Sequence, residues 1–215
     1  MSQDERFDVL DEGGQVIGTA TRAEVHAQGL WHRTFQCWIW GRDAGGVFVL
    51  FQLRHPEKDT FPGLLDITCA GHLLSGETPE DGVRELQEEL GVDVPFHSLT
   101  PCGVYAEEDR LSGGVIDREQ CHLFALERAE PLSSYRLQPE EVSGLYRVML
   151  HDVHRMLEGE SVPAAGVLLQ PDGTLLACER LLRPADFVPH AADCYSLLFQ
   201  AVGAAVTEAA PAPHK

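Results

Sequence analysis

The segment that most constrains this chain runs from Gly71 to Val92, GHLLSGETPEDGVRELQEELGV, and joins a glycine-containing loop to a predicted helix. Three carboxylates, Glu85, Glu88 and Glu89, fall on one turn of that helix, because residues three and four apart share a face. Three negative charges this close destabilise one another unless a cation joins them. Mg²⁺ and Mn²⁺ prefer oxygen ligands, so the spacing favours a divalent-cation site.

Local signals place this helix at about 79–90. Thr78 offers an N-cap hydroxyl, Pro79 suits the first turn because its missing N–H is harmless there, and Gly91 suits the position after the last turn. Apolar residues on the opposite face form a stripe that can pack against a core: Val83, Leu86 and Leu90. We therefore expect one face to pack while the other carries chemistry.

The acidic triplet also has an ordinary structural interpretation. Most clusters of charged residues on a helix form a solvated face, and Arg84 stands four residues before Glu88, which allows a simple surface ion pair. The helix alone leaves the cation site and the solvated face open. The residues that surround the helix distinguish between the two.

Together, these residues resemble the Nudix box, the signature of metal-dependent hydrolases that act on nucleoside diphosphates linked to other groups. The match is carried by Gly71, Glu77 and the run RELQEELGV from Arg84 to Val92. The family pattern has seven residues between its first Glu and the Arg-Glu pair, and this chain has one fewer. The missing residue falls near the helix start, so it affects only Glu77, which in the family mainly holds the loop against the helix.

The resemblance implies a divalent cofactor, Mg²⁺ or Mn²⁺, and roles for the residues of the box. Glu85 and Glu89 are the first expected metal ligands, Glu88 comes next, and the Gly71 carbonyl is expected as a fourth. In the family the Glu after the Arg can act instead as general base, which here gives Glu85 oriented by Arg84. The carboxylate that takes the proton varies across the family, so Glu88 also stays among the candidate catalytic residues.

Residues 7–126 resemble one branch of this family, the Nudix proteins related to isopentenyl-diphosphate isomerase. The similarity lies in short segments that keep their order and spacing: FDVLD at 7–11, Arg22 and His26, GLWHR at 29–33, FPG at 61–63 and Asp66. The isomerase relatives bind a metal through three histidines and two glutamates. Closely matching positions, which form a possible second metal site, are His26, His32, His72, Asp117 and Glu119. Such a mixed set suits Mn²⁺ or Zn²⁺, although lone histidines more often pack or hydrogen-bond.

Isomerisation of a prenyl diphosphate is therefore an alternative function. The isomerase has a catalytic Cys-Gly-His where this chain reads Ala70-Gly71-His72, and on a strand the adjacent Cys69 would point to the opposite face. Isomerases also have a degraded Nudix box, whereas the box is complete here. A third alternative is a non-catalytic binding module of the same fold, but such a module has no physical need for a complete acidic triplet.

Charge and composition narrow the partners. The net charge of −18 argues against nucleic acid, and an anionic substrate needs local positive charge, from a bound divalent ion and from candidate phosphate-binding arginines. Those candidates are Arg22, Arg33 and Arg54, each of which can instead be a surface ion pair. The pair Glu140 and Glu141 is either a base on a later loop or, more ordinarily, part of a solvated loop. We expect a small-molecule diphosphate as substrate, of a type that the sequence leaves open, and a homodimer is possible.

The chain is expected to be a cytoplasmic enzyme that uses no membrane. Its 215 residues are 44% hydrophobic, and no apolar run approaches the ~18 residues that span a bilayer. The first residues, Met1 to Phe7, are polar and lack a secretory pattern. The six cysteines are scattered without a C-x-x-C pair, which favours free thiols over a zinc site or disulfides.

Alternating and apolar runs predict strands near 7–10, 15–20, 34–40, 47–53, 101–106, 120–126 and 145–149, and helices at 79–90, 150–158 and 191–203. A turn is predicted at Asp43–Gly46 and an extra hairpin around Pro171–Gly173. The mixture fits an α/β protein with the Nudix fold, a three-layer α/β/α sandwich with a mixed sheet, an N-terminal β-hairpin and a C-terminal helical extension. We expect one domain over 1–203, with its core at about 30–160, and a disordered tail at 204–215.

Overall fold

A computed structural model describes residues 4–110 and 115–208 of the chain. The strands are β1 (Arg6–Leu10), β2 (Val16–Thr21), β3 (Trp31–Asp43), β4 (Gly46–Arg54), β5 (Leu65–Ile67), β6 (Cys69–His72), β7 (Thr100–Arg110), β8 (Ile116–Glu127), β9 (Val142–Met149), β10 (Val162–Leu169) and β11 (Leu175–Leu182). The helices are α1 (Arg22–Gln28), α2 (Arg84–Leu90), α3 (Leu150–Leu157) and α4 (Ala192–Glu208).

The strands join one mixed sheet whose longest path runs β11-β10-β9-β4-β3-β1-β2. β3 pairs in parallel with β8 and antiparallel with β4 and β6, so this central strand gathers the elements that carry the predicted site. β7 pairs with β8 as an antiparallel ribbon. The predicted mixed sheet is confirmed.

Side chains that alternate along β3 build two cores, one on each face of the sheet. Phe35, Cys37 and Ile39 pack with Leu86 and Leu90 of α2. On the other face, the core joins the β3 tryptophans to buried residues of α3 and α4: Trp38, Trp40, Val153, Met156, Cys194 and Leu198. Because successive side chains of a strand point to opposite faces, β3 is buried on both sides. The result is the predicted α/β/α layering.

All seven predicted strands and the extra hairpin are present, but some helix boundaries differ. The first turn predicted at 79–83 is instead a 3₁₀ turn at Asp81–Val83, and α2 starts at Arg84. The Asp81 carboxylate accepts hydrogen bonds from the Thr78 N–H and hydroxyl at the start of this turn. The last helix continues to Glu208, so residues 204–208 are helical and the disordered tail predicted from 204 is wrong there. The rest of that tail, 209–215, lies outside the described residues.

One short helix, α1, was absent from the predictions. Thr21 and Glu24 form a capping box at its start, and Gly29 ends it in the left-handed conformation. The pattern Thr-x-x-Glu is visible in the sequence and signals this helix start, so α1 could have been found. Its consequence is functional, because α1 carries Arg22 and His26.

The segment after β11 returns to the sheet beside β5. The Val188 N–H donates to the Leu65 carbonyl at 2.8 Å, and this contact places residues 188–191 beside β5. Among the residues that the structure describes, no helix is long and apolar enough to cross a membrane.

Candidate active site

Helix α2 presents two of its three glutamates to the interior. Glu85 is 8% exposed and Glu89 is 3% exposed, whereas the Glu88 side chain is 52% exposed. Leu86 and Leu90 are fully buried and fix the rotation of the helix, so Glu85 and Glu89, four residues apart, share its buried side. The triplet is therefore a buried pair plus an outer carboxylate.

Gly71 makes room for this pair. A Cβ atom at position 71 would lie 2.2 to 2.6 Å from the carboxylate atoms of Glu85, closer than any real contact. The Glu85 carboxylate consequently packs directly against the β6 backbone. Any other residue at position 71 would displace it.

Arg84 connects the loop, the helix and the strand. Its Nε and Nη2 donate to Glu77 at 3.1 and 3.0 Å, and its Nη1 donates to Glu85 at 2.6 Å and to Glu88 at 3.1 Å. Glu77 also accepts a 2.7 Å hydrogen bond from the Leu74 N–H. Glu77 therefore holds the loop against the helix even though the Glu77–Arg84 spacing is one residue short. The predicted Arg84–Glu88 ion pair exists as well, beside the buried pair.

Burial makes both inner glutamates weak acids. Burial raises the pKa of Glu85 to about 7, with a further increase from Glu88 and an opposing decrease from Arg84. Burial raises the pKa of Glu89 to about 8, and the charge of Glu85 adds to it. Two buried carboxylates side by side retain protons near neutral pH unless a cation replaces them.

A cavity of about 310 Å³ opens beside the pair. Gly71, which packs against the Glu85 carboxylate, lines the cavity, whereas neither Glu85 nor Glu89 does. Glu89 interacts electrostatically with the lining residues Lys58 and Glu141. Among the residues that the structure describes, three arginines or lysines line the cavity: Arg22, Arg54 and Lys58. Nine described carboxylates line it: Glu57, Asp59, Asp66, Glu107, Asp109, Asp117, Glu119, Glu140 and Glu141. The cavity wall is strongly negative.

The five residues of the predicted second metal site converge at the cavity from α1, β3, β6 and β8. Asp117 Oδ1 lies 3.5 Å from His26 Nε2 and 3.6 Å from His32 Nε2. Glu119 Oε1 lies 3.5 Å from His72 Nε2 and 4.0 Å from His32 Nε2. Within the described part of the chain, the Nε2 atoms of the three histidines and Asp117 Oδ1 are buried and have no hydrogen-bond partner. Burial lowers the pKa of all three rings, that of His32 to about 4.

The rings of His32 and His72 differ in whether Nε2 presents a lone pair to a metal. His32 Nδ1 lies 3.1 Å from the Leu30 carbonyl, which can only accept, so Nδ1 carries the proton and Nε2 presents a lone pair. Arg22 Nη1 lies 3.1 Å from His72 Nδ1 and can only donate. The neutral His72 ring therefore holds its proton on Nε2, and metal binding there requires the Arg22 contact to change.

The three predicted phosphate-binding arginines are not equivalent. Arg22 and Arg54 line the cavity, and Arg54 is paired with Asp66 at 2.5 Å. Arg33 does not line it, because its guanidinium pairs at 2.8 Å with Asp8 of the N-terminal hairpin. The sequence does not indicate that Arg33 would pair with Asp8 of this hairpin.

The structure also shows where the residues that distinguish a hydrolase from an isomerase lie. Ala70 and His72 line the cavity, whereas Cys69 lies on the other face of β6, fully buried in the core against α2. Burial holds the pKa of the Cys69 thiol well above its ordinary value. Of the later acids, Glu141 is buried and paired with Lys58, contrary to the solvated loop expected, and Glu140 is exposed at the cavity rim.

Several lining residues were not predicted: Lys58, Glu107, Asp109 and His190. Glu107 and Asp109 lie on the part of β7 beyond the predicted strand end at 106, directly opposite Glu119 and Asp117. Their spacing of two was a signal that both face the same way. His190 follows β11 and has no local signal in the sequence.

Raising the pH from about 4.5 to about 8 should lower the free energy of unfolding of the metal-free protein. The folded chain keeps protons on Glu85 and Glu89 that the unfolded chain releases near 4.5. In urea unfolding at pH 5 and pH 8, the double variant Glu85→Gln/Glu89→Gln should lose less stability over this interval than the parent. The exposed Glu80→Gln variant is the control and should keep the parental difference. Equal losses in parent and double variant would contradict the raised pKa values.

Comparison with known proteins identifies the family of this chain. The NUDIX domain model matches residues 30–170, more than half of the chain. An uncharacterized Nudix hydrolase of Clostridium acetobutylicum is 40% identical over 202 residues, covering 93% of this chain and 98% of that protein. An isopentenyl-diphosphate Delta-isomerase of Cutibacterium acnes is 35% identical over 170 residues, covering 76% of this chain and 80% of that protein.

A crystal structure of a Deinococcus radiodurans protein superimposes with a TM-score of 0.55 and 25% identity, covering 73% of this chain and 91% of that one. The predicted fold class and the predicted hydrolase family are thus confirmed. The chain belongs to the Nudix family and is a Nudix hydrolase.

Proposed function

We propose that this Nudix hydrolase uses a divalent metal, Mg²⁺ or Mn²⁺, to cleave a diphosphate bond in a nucleoside-diphosphate-linked or other small organic diphosphate. The observation that carries the proposal is the buried pair Glu85 and Glu89, with Gly71, a residue of the cavity lining, leaving room for the Glu85 carboxylate. The substrate is anionic, and the cavity wall has three times as many carboxylates as arginines and lysines. Such a wall accepts a diphosphate only when added cations offset its charge.

The residues present fit such an ion. Glu85 and Glu89 supply hard oxygen ligands, and burial raises the pKa of both despite the opposing charges of Arg84 and Lys58. They would hold the metal, with the Gly71 carbonyl as a further ligand. Glu88 is a weaker candidate, because it is exposed and paired with Arg84. When bound, the ion supplies positive charge to the phosphoryl oxygens and makes a nearby water more acidic.

The chain's own groups define the remaining roles. Glu85 is also the candidate general base, because its raised pKa suits proton transfer near neutral pH and Arg84 fixes its carboxylate at 2.6 Å. Arg22 and Arg54 at the cavity wall are the candidates for contacts with phosphate. The cytoplasmic location, the homodimer, the single domain and the lack of a nucleic-acid partner stay predictions from the sequence.

Replacing either inner glutamate should abolish most of the activity. With Mg²⁺ and the best substrate from a screen of diphosphate compounds, Glu85→Gln and Glu89→Gln should each lower kcat by at least about 10²-fold, as expected when a main electrostatic stabiliser is lost. The measurement is phosphate or monophosphate release, with circular dichroism to verify folding. Glu80→Gln, on the exposed start of the helix segment, is the control and should keep parental turnover. Near-parental kcat in both inner variants would show that the metal assignment is wrong.

Isomerisation of a prenyl diphosphate is the second candidate function, favoured by the converged histidines and by relatives that carry the isomerase name. The cavity lining opposes it, because Ala70 replaces the isomerase cysteine and Cys69 faces the core. An alanine side chain neither donates nor removes a proton. A purely binding role is disfavoured by the buried acidic pair. Burying two carboxylates side by side lowers the stability of the fold, and a protein that only binds its ligand has no need for such a pair.

Incubation of the protein with isopentenyl diphosphate and Mg²⁺ or Mn²⁺ should therefore yield no dimethylallyl diphosphate by proton NMR. The variant Ala70→Cys should form more dimethylallyl diphosphate than the parent, because it restores a thiol on the cavity face of β6. Robust isomer formation by the unmodified chain would overturn the assignment to hydrolysis alone.

We also propose that His26, His32, His72, Asp117 and Glu119 form a second metal site. Two buried Nε2 atoms without partners, those of His26 and His32, carry this proposal together with Asp117 Oδ1, since unpaired buried polar atoms are costly and a metal would satisfy them. The mixed donors suit Mn²⁺ or Zn²⁺. His32 is already oriented to ligate, because its Nδ1 proton is held by the Leu30 carbonyl.

Pulsed EPR of the protein loaded with Mn²⁺ tests this second site. The parent should show ¹⁴N modulation from imidazole ligands, and His32→Ala should lose most of it because this ring is the one already oriented toward the ion. The exposed His97→Ala variant is the matched control and should keep the parental signal. A parent without ¹⁴N modulation would assign these histidines a purely structural role.

A further inference from the structure

His190 is a cavity residue that the proposed mechanism does not use. Its side chain is 8% exposed and lies between two carboxylates, with Nε2 at 2.6 Å from Asp66 and Nδ1 at 3.1 Å from Glu107. Both partners accept hydrogen bonds, so both ring nitrogens donate and the ring is an imidazolium. Burial alone would lower the pKa of this ring, but Asp66 and Glu107 outweigh it and hold the pKa well above its ordinary value.

This ring connects two strands that do not pair with each other, β5 and β7. Asp66 belongs to β5 and Glu107 to β7, on two different parts of the cavity wall. The backbone around His190 is fastened to the same two elements: the Val188 N–H donates to the Leu65 carbonyl at 2.8 Å, and the Ala191 N–H donates to Glu107 at 2.6 Å. The segment 188–191 therefore bridges the cavity wall, and it lies beyond residues 30–170 of the family match.

The connection continues from Asp66 into the loop at 55–64. Arg54 donates to the Asp66 carboxylate at 2.5 Å, and its Nη2 also donates to the carbonyl and the hydroxyl of Thr60, each at 2.9 Å. That loop contributes Lys58, Thr60 and Phe61 to the cavity lining. Phe61 has a φ of 47°, a conformation that an L-residue adopts only when its surroundings impose it.

We propose that His190 is a positioning residue for substrate binding. It clamps β5 to β7 and, through Asp66 and Arg54, holds the loop at 55–64 in place over the cavity. Its own atoms are not required for the chemical step, since the candidate metal ligands Glu85 and Glu89 lie on α2. The kinetic consequence rests on the proposed hydrolase function, whereas the effect on the loop is independent of it.

The obvious variant, His190→Ala, leaves two buried carboxylates with one counter-charge fewer and can fail to fold. A charge-matched pair of variants avoids this. His190→Ala with Glu107→Gln removes the clamp and keeps the local charge balance, because Asp66 retains Arg54. His190→Gln with Glu107→Gln has the same charge but restores a side chain that donates hydrogen bonds. A role in charge balance alone predicts parental behaviour for both double variants.

A positioning role for His190 predicts different results for the two double variants. On the best substrate, the His190→Ala/Glu107→Gln variant should raise KM by about tenfold while kcat changes by less than about threefold, and His190→Gln/Glu107→Gln should recover most of the KM. The exposed His97→Ala variant should match the parent. Parental KM in the alanine double variant, or a loss confined to kcat, would overturn the positioning role.

Hydrogen exchange of the substrate-free protein separates this proposal from the proposed function. In the His190→Ala/Glu107→Gln variant, amides of the loop at 55–64 should exchange at least about tenfold faster than in the parent, and in the glutamine variant they should return towards parental rates. This result would support the clamp even if no diphosphate is hydrolysed. Faster exchange restricted to 184–191, with the loop unchanged, would overturn it.

Discussion

The site depends on the burial of two carboxylates next to each other. Glu85 and Glu89 are held out of water because Leu86 and Leu90, on the same helix, pack into the core beneath the sheet. Desolvation and mutual repulsion disfavour their charged forms, which is why both pKa values are raised. A fold that keeps this pair accepts a cost in stability, and a divalent cation at the pair removes that cost.

The surroundings maintain the pair without neutralising it. Arg84 is shared among Glu77, Glu85 and Glu88, so one cation serves three carboxylates. Gly71 lets the Glu85 carboxylate approach the strand backbone, beside the cavity. On the far wall, His190 and Arg54 are engaged by Asp66 and Glu107. Fixed positive charges in the cavity are thus largely occupied, and metal ions are the natural source of attraction for an anionic substrate.

The parts of the site that lie on one element could be predicted from the sequence. The spacing of Glu85 and Glu89 determines that they share a helix side, and the glycine at 71 follows from the pattern of the box. The exposure of Glu88 depends on how α2 rotates against the sheet, which the triplet alone does not specify. The histidines were identified through resemblance to a family, since lone histidines carry no signal of their own.

Contacts between distant segments could not be predicted. His190 and Glu107 are 83 positions apart, and their pairing depends on how the segment after β11 crosses back to the cavity. Arg33 was weighed as a phosphate contact and as an ion pair, and it forms an ion pair with Asp8 because the N-terminal hairpin lies against β3. Sequence spacing describes neighbours on a helix or strand, whereas these contacts are set by the packing of whole elements.

The central claim is that Glu85 and Glu89 bind a divalent metal behind Gly71 of the cavity lining, and anomalous diffraction from crystals grown with Mn²⁺ tests it most directly. The account predicts a strong anomalous peak within bonding distance of both carboxylates in the parent, and loss of that peak in Glu85→Gln/Glu89→Gln crystals. A parental map with no peak at this pair, under conditions in which Mn²⁺ supports turnover, would contradict it.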